Sequence, residues 1–433
     1  MPGDEYMDMR GAKAKINIPY GAGAVCFEVD SRRVAGIAAP RGISRGAGSE
    51  ADTVRRALES PIASPRLREL SRGKRRVLVI TSDHTRPLPS SVTLPILLGE
   101  IREGAPGAEI RILIATGTHR PMSPAEMRAK FGEALRGGEA FICHDCGGEG
   151  LIYRGELPSG APLRLNPLAD WSELTVAEGF VEPHFFAGFS GGGKAVLPGI
   201  AGKASILRNH CASLIADPRS RQGVIEGNPI QADIRAAARL AGLAFILNVT
   251  LGGGRVSRAF AGDAIAAHGA GCAAAAEAAA ADRVEADIAV TSNGGYPLDQ
   301  NLYQAVKGVS TAEACVRKGG VIIQCAKLGD GCGGERFRGY FAGARSAREV
   351  ADAIARVPDG ETGEDQWQAQ ILARAMLRAS VVVMTGAGNK ALVEGMGMIW
   401  AGGPSEAMAK AEAIAGAGAS VAFVPDGVGV ILR

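Results

Sequence analysis

The stretch RRVLVITSDHTRP, residues 75–87, places two cations before an apolar run, Val77 to Ile80, and follows it with a polar loop closed by proline. A short apolar run bounded in this way predicts a strand buried on both faces, the kind found in parallel sheets. The pattern then repeats. Val92 to Glu103 has helical character, and Ile110 to Ala115 is a second apolar run, ending in the polar loop GTHRP. Strand, polar loop, helix, strand, polar loop predicts an α/β fold with a mostly parallel sheet. Ligands in such sheets bind beyond the carboxyl ends of the strands. Asp83, Arg86, His119 and Arg120 all fall at that kind of position.

The same reading extends in both directions. Residues 14–39 alternate enough to predict two N-terminal strands joined by a Gly-rich turn. Ala51 to Arg72 reads as helix, broken at Ser60-Pro61 and restarted after Ser64-Pro65. Phe141 to Cys143, Leu174 to Ala177 and Leu243 to Val249 supply further strands. Ala261 to Asp282 reads as one Ala-rich helix that bridges two domains. A second α/β series follows in Ala286 to Val290, Gly320 to Cys325, Ser380 to Thr385 and Ser420 to Val424. The expectation is therefore two α/β domains, residues 1–280 and 281–433, with an active site in the crevice between them.

Composition narrows the function. With 46% hydrophobic and 21% charged residues the 433-residue chain reads as globular, and it is long enough for more than one core. A net charge of +3 without a Lys/Arg tract points away from nucleic acid. No apolar stretch is long enough for a membrane span or a signal core, and the eight cysteines are scattered, so a cytoplasmic location is expected. Cys143 and Cys146 form a CxxC, but no second CxxC follows at zinc-ribbon spacing, and a strand end is the expected reading.

Polar residues with chemical reach concentrate in a few loops. An arginine at a strand end, as Arg86 is, can hold a carboxylate or phosphate through paired hydrogen bonds. A histidine at the mouth of a sheet titrates near neutrality, at about pH 6.5, and can take and return a proton. Of six histidines, His84, His119, His184 and His210 fall in loops expected to face one crevice; His144 and His268 do not. The stretch VEPHFFAGFSGGGKAVLPGIAGKASILRNHC, residues 181–211, combines two of these with a glycine run that presents Lys194. Gly188 to Lys194 fits GxxxxGK, yet Ala195 stands where a phosphate loop needs a hydroxyl for magnesium. Gly386 to Ala391 fits GxGxxA without the acidic residue a dinucleotide site wants some 20 residues on, and reads as a tight strand-to-helix turn. Gln304 and Lys307, three apart on a predicted helix, share a face suited to a carboxylate.

SDHTRP (82–87), ATGTHRP (115–121), EPHFFAGFSGGGKAVLPGIAG (182–202), RNH (208–210), YQAVKG (303–308) and QWQAQ (366–370) together resemble the nickel-pincer-nucleotide lactate racemase family. The resemblance implies a racemase or epimerase acting at C2 of a 2-hydroxy acid. It also implies a pyridinium-3,5-bisthiocarboxylic acid mononucleotide joined covalently to Lys194, holding nickel, with His210 as a ligand. His119 and His184 match the paired proton donor and acceptor. Asp83, His84, Thr85 and Arg86 match the segment that contacts the cofactor, with Arg86 also reaching the substrate. Tyr303, Gln304, Lys307 and Trp367 match substrate-binding positions. Cofactor-making and nickel-inserting enzymes are the implied partners.

The chemistry is consistent with that set. Inverting an unactivated carbon by removing and returning hydride needs a hydride sink, a base for each face and a cation clamp. Nickel with sulfur and imidazole donors is a reasonable sink. Two alternatives stay open: a zinc hydrolase or lyase built on His119, His184 and His210, and a non-catalytic nucleotide- or metal-binding protein.

Overall fold

The computed structural model describes residues 7–8, 12–42 and 48–433, which divide into two compact units. The first unit comprises Ile43–His210 and Asp217–Ala276; the second collects the chain up to Gly42, Cys211–Ala216 and Glu277–Arg433. Both are α/β.

In the first unit six strands lie in the order Arg255–Gly262, Leu243–Gly252, Leu174–Phe180, Arg76–Ser82, Glu109–Ala115, Ala140–Cys143. All neighbours run parallel except the first pair, which is antiparallel. Val77, Leu78, Val79 and Ile80 are completely buried, the signature of a strand covered on both faces. One cover is the helix Ser90–Gly104, whose Leu94, Leu97, Leu98 and Ile101 recur at helical spacing and enter the core. Burying each such leucine or isoleucine contributes roughly 1.5–3 kcal/mol. The helix expected over residues 51–72 does break, into Glu50–Glu59 and Leu67–Ser71. Ser49 and Asp52 start it with a reciprocal capping box.

The Ala-rich helix is shorter than expected. Arg255–Gly262 is a strand paired with Leu243–Gly252, and the helix runs only from Ala266 to Ala279. Asp263 sets its start by accepting from the backbone N–H of Ile265 and Ala266. The division between units falls within this helix, at Ala276/Glu277.

The second unit holds a six-stranded, all-parallel sheet in the order Ile399–Ala401, Ser380–Met384, Val316–Cys325, Ala286–Ser292, Val421–Val424, Val34–Ile37. The edge strand comes from the N-terminus, so the stretch 1–280 is not one compact body. Its physical cause is the hairpin Lys13–Tyr20 and Gly23–Asp30, which turns Ala14, Ile16, Ile18, Phe27 and Val29 to one face. That face joins the core of the second unit, with Phe27 edge-on to Phe423. Cys211–Ala216 belongs there too: Ser213 donates to Asp359, and Gln370 to the carbonyl of Ala212.

Candidate active site

In the first unit three adjacent parallel strands end in the loops that carry Asp83, His119 and His184. Ser82 and Ala115 are register partners, so the loops after them start side by side. Asp83 is 1% exposed. One carboxylate oxygen accepts from the Thr85 N–H at 3.0 Å and hydroxyl at 2.6 Å, and the other bonds His119 Nδ1 at 2.7 Å. Burial alone would raise this carboxyl, but the bonds from His119 and Thr85 and the nearby Arg86 charge outweigh it and hold it below its ordinary value. An ionised Asp83 makes Nδ1 the protonated nitrogen of His119, which leaves the lone pair on Nε2.

His184 has the opposite tautomer. Its Nδ1 accepts from the Ala187 N–H at 3.3 Å, so in the neutral ring the proton is on Nε2. The ring stacks on Phe185 and meets Phe186 edge-on, with centroids 5.0 and 4.5 Å away. Phe186 in turn meets His210 edge-on at 5.1 Å, and the Lys194 ammonium lies 5.8 Å from the Phe186 centroid. One aromatic ring thus gathers His184, Lys194 and His210. His210 is buried, its Nδ1 bonded to the Ile206 carbonyl at 2.9 Å, which puts the lone pair on Nε2. Burial first, and the Lys194 charge second, push its pKa down to about 3. It stays a neutral imidazole, the form that ligates metals.

The glycine run before Lys194 is dictated by packing. Gly192 has φ +55°, and a Cβ there would sit 2.5 Å from the His268 ring. Gly191 has φ +80°, and its Cβ would meet the Asn248 side chain at 2.7 Å. Only glycine tolerates both the conformation and the approach. The Gly192 N–H donates to Asn248 and the Lys194 N–H to the Gly191 carbonyl, so these amides do not form a phosphate cradle. The run instead brings the Lys194 side chain out beside Phe186. His84, expected near the cofactor, lies 3.5 Å from Glu126 through Nε2, while its Nδ1 is buried with no partner among the described residues.

In the second unit, Tyr303, Gln304 and Lys307 open the helix Leu302–Ala312, which Asn301 caps through the Gln304 N–H. Trp367 Nε1 donates to the Tyr303 hydroxyl at 3.2 Å, so these two residues meet although 64 positions apart. Among the described residues Gln304 Oε1 is buried with no hydrogen-bond partner.

Residues 20–223 match the family described as Lactate racemase N-terminal domain, and residues 281–432 the Lactate racemase C-terminal domain. The chain is 47% identical to the lactate racemase of Thermoanaerobacterium thermosaccharolyticum over 423 residues, 97% of this chain and 99% of that one. It is 42% identical to the lactate racemase of Lactiplantibacillus plantarum over 421 residues, 96% and 99% of the two chains. The chain belongs to the lactate racemase family. The structure of the lactate racemase apoprotein from T. thermosaccharolyticum matches with a TM-score of 0.92, covering 97% of this chain and all of that one. A Thermotoga maritima protein, 18% identical, shares the fold with a TM-score of 0.61 over 89% of this chain and 97% of its own.

Lactate racemase-family membership makes this chain an isomerase, a racemase or epimerase. Among the described residues no group of three or more His, Cys, Asp or Glu side chains is arranged to hold a metal ion. Gly386 to Ala391 is the tight turn expected of it, with Asn389 bonded to the Leu328 carbonyl.

Sequence reasoning missed His144 and His268. His268 Nε2 bonds the Ser190 carbonyl at 2.9 Å and His144 Nε2 the Ala201 carbonyl at 2.9 Å, so both hold the backbone of the Lys194 segment, one on each side of the lysine. Burial pushes the His268 pKa down to about 4 against the opposing Ser190 bond, with the Arg235 and Lys194 charges adding to the fall. An unfolded histidine binds a proton below about pH 6.5, which the folded one refuses until about pH 4. The unfolded state therefore gains protons first, and apo-protein stability should fall as pH drops through that window. At pH 5 the loss from His268 is about 2 kcal/mol. Urea unfolding at pH 7 and pH 5 checks this: His268→Gln should lose visibly less than the wild type, and an equal loss would refute the assignment.

Proposed function

We propose that the protein inverts the C2 centre of a 2-hydroxy acid, with lactate the first candidate. The observation that carries this reading is the pair of opposite histidine tautomers. His119 presents a lone pair at Nε2 and His184 an N–H at Nε2, so one ring can accept a hydroxyl proton and the other can hold a substrate oxygen by hydrogen bonding.

The residues fit the cofactor that the family implies. Lys194 supplies an amine for a covalent anchor, and His210 a neutral imidazole for nickel, both against Phe186. When bound, the nickel-pincer nucleotide supplies an electron-poor acceptor for the hydrogen on C2. The protein does the rest. His119 takes the hydroxyl proton as C2 flattens to a keto acid, and Asp83 stabilises the imidazolium. Arg86 neutralises the oxygen from which the proton leaves. Gln304 and Lys307 hold the carboxylate, with Tyr303 and Trp367 packing beside them, so that the planar acid keeps its place while the opposite face is rebuilt. As the acid, His184 is an imidazolium that has given up the Ala187 contact at Nδ1; it returns a proton from Nε2 and becomes neutral while His119 is left protonated, so from the other enantiomer the two histidines exchange roles.

The reading is of a cytoplasmic enzyme matured by cofactor-making and nickel-inserting enzymes. It is supported by eight cysteines without a disulfide and by the lack, among the described residues, of a helix long and apolar enough to cross a membrane. Co-expression with those maturation enzymes provides the test. Protein so prepared should contain about one nickel per chain and racemise single enantiomers of lactate or another 2-hydroxy acid, followed by chiral chromatography. Zinc in place of nickel, with no loss of optical purity across a panel of aliphatic, aromatic and dicarboxylic 2-hydroxy acids, would sink the reading.

A further inference from the structure

The helix Pro124–Phe131 begins directly after the His119 loop, capped by Ser123 with Pro124 in its first turn. Glu126 and Lys130 are four apart and share a face. Both reach the neighbouring loop. Glu126 binds Arg120 at 2.8 and 2.5 Å and lies 3.5 Å from His84. Lys130 Nζ donates to the carbonyls of Arg86 at 2.9 Å and Leu88 at 3.3 Å. The second contact is the more telling. Lys130 is half-buried, and among the described residues no carboxylate stands within 4.0 Å of its ammonium. An ammonium removed from water for two backbone carbonyls is an expensive way to fill space, and an apolar side chain would pack there at less cost.

We propose that Lys130 is a positioning residue that locks the Asp83–Leu88 loop to the His119 loop, and so sets where the Asp83 carboxylate and the Arg86 guanidinium stand. Its protonation state is part of the device. The ammonium has three donors and a full charge for the two carbonyls, whereas the neutral amine binds them more weakly. The charged groups facing it are Glu178 on the strand Leu174–Phe180 and Asp83 and Arg86 in the loop. Burial pushes Lys130 down to about 8, with Glu178 and Asp83 opposing and Arg86 adding to the fall. The lock therefore loosens as pH rises through about 8, and turnover falls with it.

The kinetic part rests on the racemase reading; the structural part does not. In the apo-protein, Lys130→Met should speed hydrogen–deuterium exchange of the Thr85 and Arg86 amides by tenfold or more and leave the strand Glu109–Ala115 unchanged. Lys130→Arg, which keeps a permanent cation, should stay within twofold of wild type. In the nickel-loaded enzyme, Lys130→Met should lower kcat by 10- to 100-fold with KM within threefold. Lys130→Arg should restore most of kcat and move the alkaline fall above pH 9. Unchanged exchange at Thr85 and Arg86 in Lys130→Met overturns the proposal, whatever the enzyme turns over. Faster exchange with an alkaline limb that Lys130→Arg does not move overturns the titration and leaves the lock standing. A loaded wild type that racemises nothing removes the functional reading alone.

Discussion

Lys194→Ala should remove racemisation entirely, a loss of at least about 10⁴-fold, without unfolding the protein. The two halves of this expectation have separate causes. The loss follows because no other amine shares the place: Lys194 is the residue that the glycine run brings out against Phe186, beside the His210 ring. Without a covalent anchor the nucleotide would have to be held by His210 and the Asp83–Arg86 loop alone, at ordinary affinity and without fixed orientation. Survival of the fold follows because the turn is built by its backbone. Gly192 donates to Asn248, Lys194 N–H to Gly191, and His268 holds Ser190, and none of these needs the lysine side chain. Lys194→Arg keeps the charge but offers no primary amine for the covalent anchor, so it should fail equally. Intact mass and nickel content of protein made with the maturation enzymes check the point: wild type gains a nucleotide-sized mass, both variants gain none, and melting curves coincide. A variant that keeps both the added mass and the nickel would show that the anchor lies elsewhere.

Much of this molecule can be read from patterns because a parallel sheet forces a pattern. Val77 to Ile80 must be apolar at every position, since both faces are covered, and the loop after such a strand must lie at the sheet's carboxyl edge. Asp83 and His119 were therefore placeable one by one. Their pairing was less so, because it depends on Ser82 facing Ala115, and register within a parallel sheet leaves no local mark. Alternation in the N-terminal hairpin announced a buried face but not its partner, which turned out to be the sheet whose other five strands start some 250 residues later. The Ala-rich stretch failed for a different reason. Small residues suit a helix and a covered strand alike, so only Asp263, a cap with no periodic signal of its own, marks where the strand ends and the helix starts. His144, His268 and Lys130 share a further blind spot. Each bonds backbone carbonyls, which every residue has, so no spacing or partner type in the chain betrays them.

Asp83→Asn should cost about as much as removing His119 itself, about 10³- to 10⁴-fold in kcat, though it changes a single atom. In the native loop Oδ1 accepts twice from Thr85, at 3.0 and 2.6 Å, and that oxygen must remain an acceptor. The new amide nitrogen then faces His119 Nδ1, where a carboxylate oxygen had stood 2.7 Å away. Two N–H groups cannot point at each other, so the imidazole proton moves to Nε2 and the lone pair that should meet the substrate is lost. Turning the amide over leaves its N–H against the Thr85 N–H instead, at the cost of the turn. Either way the negative charge that would stabilise the imidazolium is gone. Because Asp83 acts through His119, the two losses should not add: Asp83→Asn with His119→Ala should be no slower than His119→Ala alone. Thr85→Val, which removes the hydroxyl and keeps the N–H donor, should be the mildest of the set. Single-turnover rates with each enantiomer, on nickel-loaded protein, measure all four. If the double variant is slower than His119→Ala by the full Asp83→Asn factor, Asp83 has a role of its own toward cofactor or substrate, and the tautomer account of this pair is wrong.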